Sequence, residues 1–85
     1  MQLPKLKTLI EVGAIQQIRV VYDASNDGWT LLITYQVQQA PKTEALERQR
    51  GGVRAFATLD AAAHCLGGLG IREFQVSAGA YGAKS

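Results

Sequence analysis

The feature that most restricts this chain is the run from Trp29 to Val37, whose side chains follow a period of two. Trp29, Leu31, Ile33, Tyr35 and Val37 fall on one side, and Thr30, Leu32, Thr34 and Gln36 on the other. Successive side chains leave a pleated backbone on opposite faces, so this pattern reads as a half-buried strand. A strand of this kind needs neighbours along its edges and a cover over its apolar face. The first neighbour lies just upstream. Ile15 to Asp23 alternates Ile18, Val20 and Tyr22 against Gln17, Arg19 and Val21. Between the two runs, Ala24-Ser25-Asn26-Asp27-Gly28 holds turn-forming residues, with Gly28 suited to a positive φ. A β-hairpin is the reading.

Two segments can supply the cover. Pro4 suits the first turn of a short helix carrying Leu3, Leu6, Leu9 and Ile10 along one side, and Gly13 would end it. Thr58 is a good N-cap, and Asp60 places a negative charge in the first turn of the helix that follows. Leu59, Ala62, Ala63, Leu66 and Leu69 form its core-facing stripe, and Gly70 is placed to cap its end. Between hairpin and helix, Ala40-Pro41-Lys42 reads as a polar loop. Glu44 to Phe56 then reads as a third strand interrupted at Gly51-Gly52, where a bulge and a tight turn into a fourth short strand both fit. Ile71 to Val76 closes the pattern as a last strand with Phe74 and Val76 facing in. The expected fold is α+β, an antiparallel sheet of three or more strands with helices packed on one face, in the order α-β-β-β-α-β. Residues 1–77 are expected to form one domain, and the small, glycine-rich stretch 78–85 a flexible C-terminal tail.

Length and composition remove several classes. Eighty-five residues suffice for one domain with a modest core. The single cysteine, Cys65, cannot close an internal disulfide, and no Cys/His pair has zinc-ligand spacing. A lone thiol suits a reducing compartment, and neither a signal peptide nor an apolar run long enough to span a bilayer is visible. A cytoplasmic location without membrane contact is expected. The net charge of +2 is too small to decide for nucleic acid, so the placement of the charges must decide.

No catalytic group stands out. His64 and Cys65 are adjacent, and neighbours on a helix point about 100° apart, so they do not face one another as a catalytic pair requires. Asp23 and Asp27 flank the hairpin loop, where carboxylates hydrogen-bond backbone. Gly67, Gly68 and Gly70 follow a helix, whereas a phosphate cradle needs glycines ahead of one. The single Arg50-Gly51-Gly52 triplet lies inside a strand pattern. We therefore expect no enzyme activity, no metal, no cofactor and no small-molecule substrate.

The second face of the sheet is the candidate site. Thr30, Thr34 and Gln36 turn away from the helices, Gln17 and Arg19 share that parity, and the third strand would add Arg48, Arg50 and Arg54, at even spacing if it is not bulged before Arg54. Arg, Gln and Thr are residue types that contact phosphates and base edges. The reading for nucleic-acid contact is thus Arg19, Thr34, Gln36, Arg48, Arg50 and Arg54. A solvated outer face, with Glu44 and Glu47 diluting the charge, is the plain alternative.

The stretch Arg50-Gly51-Gly52-Val53-Arg54-Ala55-Phe56-Ala57-Thr58-Leu59-Asp60-Ala61-Ala62-Ala63, continued by Leu69-Gly70-Ile71-Arg72-Glu73-Phe74-Gln75-Val76, resembles small partition-associated (ParC-type) proteins encoded beside plasmid partition genes. The resemblance covers about residues 46–76. It implies a non-enzymatic accessory role in plasmid maintenance, with partition proteins as partners and no catalytic residues. The strand-strand-helix order, with Phe56 and the Thr58-capped helix, is also loosely similar to arm-type DNA-binding domains of phage integrases. The functional expectation is an accessory protein of a plasmid or mobile element that binds DNA, or a DNA-bound partner, through the sheet face. The alternative is a protein–protein interaction module, such as a homodimer, without nucleic-acid contact.

Overall fold

The computed structural model describes residues 1–78. Strands β1 (Ile15–Asp23) and β2 (Gly28–Val37) form the hairpin that the period-two runs predict, with Ile18 opposite Ile33, Val20 opposite Leu31 and Tyr22 opposite Trp29. Directly opposed residues share a face, so these six side chains make one continuous apolar surface. Helix α1 (Leu3–Glu11) and helix α2 (Leu59–Gly68) both contribute to the core that covers it. Leu6, Val20, Leu31, Ile33, Leu46 and Leu66 are its largest fully buried side chains. Each stabilises the fold by roughly 1.5–3 kcal/mol through removal from water. Helix α2 starts as its sequence suggests, with the Thr58 hydroxyl accepting a hydrogen bond from the Ala61 N–H at 3.0 Å. Ala62 and Leu66 are its buried positions, and His64 is exposed.

Strand β3 (Ala40–Ala45) pairs antiparallel with β2 and begins where a loop is expected. Gln38 adopts φ 55 in the tight connection, and Ala40-Pro41-Lys42 already lies in register with β2. Pro41 is tolerated because β3 is an edge strand, where a missing N–H need not break a ladder. The third strand does not run on to Phe56. It ends at Ala45, and the chain makes a side hairpin in which Glu47 bridges Val53. That hairpin settles Gly51-Gly52 as a turn. The Arg48 carbonyl accepts from the Gly51 N–H at 3.0 Å, and the Arg48 N–H donates to the Gly52 carbonyl at 2.9 Å. Phe56 then pairs with Trp29 through two backbone hydrogen bonds of 2.8 Å, taking the place beside β2 that β3 has left.

This return explains Gly28. The positive φ of the first hairpin sits at Asp27, and Gly28 is the first residue of β2. A Cβ at Gly28 would stand 2.8 Å from the Phe56 carbonyl oxygen. Close approach of a second backbone is what requires the glycine there.

Strand β4 (Gln75–Ser77) completes the order β3-β2-β1-β4 and corrects the all-antiparallel expectation. It lies parallel to β1, with Val76 opposite Val20. The crossover through α2 carries the chain from one sheet edge to the other and brings it back in the direction of β1, which a hairpin cannot do. The sheet is mixed. Ile71 to Phe74 precede the strand instead of forming it; Phe74 packs against the core, while Val76 remains 47% exposed at the edge. Of the stretch 78–85, residues 79–85 lie outside the described residues.

Candidate functional site

The register decides which of the six expected contact residues meet. Both helices pack on the Trp29–Leu31–Ile33 side, so the opposite face carries no helix and is open from Leu32 to Gln36, while Thr30 at its other end is buried with its hydroxyl donating to the Val21 carbonyl at 3.2 Å. Arg19, Thr34 and Gln36 lie on that open face, together with Gln17, Leu32, Thr43 and Gln75. Much of its polar surface is spent on itself. Gln17 donates to the Gln75 side chain at 2.6 Å, and the Thr34 and Thr43 hydroxyls are 2.8 Å apart. Gln36 is engaged by Gln16 and donates to the Gln38 carbonyl. Of the two cations carried within the strands, Arg19 and Lys42, only Arg19 is on the open face.

Arg48, Arg50 and Arg54 do not join them. Leu46 and Phe56 are core residues, 0% and 8% exposed, and Arg48 and Arg54 stand two residues from them. In extended chain that spacing returns to the same face, so both arginines lie on the helix side of the sheet. Arg50 sits at the exposed tip of the side hairpin. The expected single face is two surfaces, divided by the sheet. The parity of Leu46 and Phe56 was the signal in the sequence that could have shown this.

The second surface is a groove of about 630 Å³ between the start of α1 and the side hairpin, lined by Gln2, Leu3, Pro4, Lys7, Glu47, Arg48, Gln49 and Arg54. Its two walls are stitched together. The Glu47 N–H donates to the Met1 carbonyl at 2.7 Å, and the Gln2 side chain donates to the Gln49 carbonyl at 3.2 Å. The arginines are held in place as well. Arg48 Nε donates to the Gly51 carbonyl at 3.3 Å. A Cβ on Gly52, whose φ is 80°, would meet the Arg48 guanidinium at 2.9 Å, so the glycine lets this side chain lie across the turn. The Arg54 guanidinium lies 4.7 Å from the centroid of the Phe56 ring, a cation–π contact. Leu3 and Arg54 also border a shallower depression toward α2, which includes His64 and Cys65.

Beside the groove, Glu44 gathers the opposite charge. Its carboxylate accepts from the Tyr35 hydroxyl and from Lys5 Nζ at 3.3 Å, and pairs with Lys42 Nζ and the Met1 ammonium, each at 3.3 Å. The Tyr35 hydrogen bond, followed by these cations, lowers its pKa to about 2. Lys5 donates to the Tyr35 hydroxyl at 3.0 Å, which raises its own pKa above the ordinary value. No feature of the sequence announces this cluster, because its members come from α1, β2, β3 and the N-terminus ahead of α1.

The remaining candidates have local explanations. Asp23 accepts from the Ser25 N–H at 2.9 Å and from the Asn26 side chain at 2.6 Å, and the Asn26 bond leads in lowering its pKa. Asp27 accepts from the Tyr22 hydroxyl at 2.9 Å. Both do turn work. Cys65 is a free, half-buried thiol packed against the core. Among the described residues no three His, Cys, Asp or Glu side chains gather to hold a metal, and no helix is long and apolar enough to cross a membrane.

No curated protein and no solved structure matches the chain. One family model does, and it extends the resemblance carried by residues 46–76 to the whole length, residues 1–85. With its mixed four-stranded sheet and two helices on one face, the chain belongs to the ParC-like family.

Proposed function

We propose that this chain is a non-enzymatic accessory protein of plasmid maintenance that works by binding another protein. The ParC-like match supports the plasmid association. The observation that carries the binding mode is the separation of the cations by the sheet. A surface that reads duplex DNA presents several cations together toward the phosphates. Here the open face offers Arg19 among neutral side chains that bond one another, while Arg48 and Arg54 border a groove with apolar walls at Leu3 and Pro4. Few cations around an apolar groove suit a protein segment better than a phosphate backbone.

Two measurements test the reading. Retention on duplex DNA should be negligible between about 50 and 200 mM salt, whereas three phosphate contacts would give a log–log salt slope of roughly −2.7. Sedimentation of the chain mixed with the products of adjacent partition genes should show a stoichiometric complex. A steep salt-dependent DNA affinity with no such complex would return the sheet-face DNA reading to first place.

A further inference from the structure

We infer that the groove between α1 and the side hairpin is the docking site for an acidic, extended peptide segment of the partner. Arg48, Arg54 and Lys7 grip its carboxylates, and an apolar side chain seats against Leu3 and Pro4. The inference rests on the protein-binding reading above and deepens it.

Charge is the first argument. The groove carries three cations and one carboxylate, Glu47, which is already 3.8 Å from the Met1 ammonium. Among the described residues, the ion pairs are made by Met1, Lys5 and Lys42, and none engages Arg48, Arg54 or Lys7. The groove therefore presents uncompensated positive charge toward solvent. The side chains that could neutralise it are committed elsewhere, Glu44 most of all.

Preorganisation is the second argument. A free arginine loses rotamer entropy when it binds, and this normally weakens exposed ion pairs. Arg48 is already laid across its turn by the Gly51 carbonyl, and Arg54 is already stacked on Phe56. Part of that ordering cost is met by folding. A guanidinium held in this way presents parallel N–H donors that match the two oxygens of a carboxylate.

Shape selects the class of ligand. A phosphate chain has no apolar side chain to place against Leu3 and Pro4, whereas a peptide with alternating acidic and apolar residues fills both parts of the groove.

The test is selection of a displayed random-peptide library on the immobilised full chain. Enriched peptides should carry Asp or Glu on either side of an apolar residue, and their binding should weaken as salt rises. The affinity of the tightest peptide should fall at least about tenfold with Arg48→Ala or Arg54→Ala, the loss expected of a charge-assisted hydrogen bond. Arg54→Lys should restore it only in part. Lys7→Glu, on the exposed surface of α1, should also abolish binding while leaving the melting curve unchanged, which separates docking from folding. Arg19→Ala should leave the affinity as it was. No enrichment, enrichment of neutral or basic peptides, or indifference to Arg48→Ala, Arg54→Ala and Lys7→Glu would overturn the assignment. Peptides lost on Arg19→Glu but not on Lys7→Glu would move the docking site to the open face and leave the protein-binding reading intact. Displacement of the peptide by duplex DNA at equal affinity would sink both.

Discussion

The stretch from Glu44 to Phe56 carries two charged regions with opposite fates. Glu44 turns toward the helices and finds Tyr35, Lys5, Lys42 and the Met1 ammonium around it. Arg48 and Arg54 turn the same way a few residues later and meet no carboxylate among the described residues, only a carbonyl and a ring that hold them still. The first region is closed electrostatically, and its charges stabilise the chain that bears them. The second is left open, and its charges are available to something else. Burial alone does not separate the two, since Arg54, like Glu44, is half-buried. What separates them is whether opposite charge has already arrived.

The largest effect should come from beneath both regions. Leu66 is fully buried against the sheet from which the side hairpin hangs. Leu66→Ala should cost about 2–5 kcal/mol in chemical denaturation, without favouring either region. An unchanged midpoint would take the α2 stripe out of the core.

Glu44→Gln probes the closed region, with an expected loss of roughly 1–2 kcal/mol near neutral pH from hydrogen bonds to a charged group. Its pH dependence has a definite sign. The folded-state pKa of about 2 lies below the ordinary 4.5, so the contribution is fully present above the unfolded value. It is lost as pH falls from there toward 2. Wild type should therefore lose stability through this window faster than the variant. Parallel profiles would mean that the cluster contributes little to folding.

Gly52→Ala should act on the open region. A side chain at φ 80 is strained by about 1–2 kcal/mol, and the new Cβ crowds the Arg48 guanidinium. Denaturation should register the strain, which the free and bound chains share, and acidic-peptide affinity should fall separately because the Arg48 guanidinium is displaced. Equal affinity would show that the placement of Arg48 is unimportant.

What could be read from sequence was local. The β1–β2 hairpin follows from the alternation of Ile18, Val20 and Tyr22 with their opposites on β2, and α2 from Thr58 and its leucine stripe; both signals lie within a few residues of what they specify. What escaped was non-local. The role of Gly28 depends on the Phe56 carbonyl, from a segment that returns only after the side hairpin. A last strand was legible near Val76, but its short extent, Gln75–Ser77, and its parallel pairing with β1 were not, because strand direction is set by the crossover and not by local pattern. Pro41 masked the start of β3 because a proline breaks a central strand but not an edge. The expected contact face divides for a sharper reason. Arg54 lies two residues from Phe56, whose large apolar ring belongs to the core, and in extended chain that spacing returns to the same face.

The most direct test of the contrast is equilibrium denaturation of Arg48→Ala/Arg54→Ala beside Glu44→Gln, at low and at high salt. If the arginines have no structural duty, the double variant stays within about 1 kcal/mol of wild type, the size of the lost Phe56 contact. Its deficit should shrink at low salt, where removing like charges from one groove relieves repulsion, and it should remain smaller than that of Glu44→Gln. A double variant less stable than Glu44→Gln would contradict the account, because it would make the open arginines part of what holds the fold together.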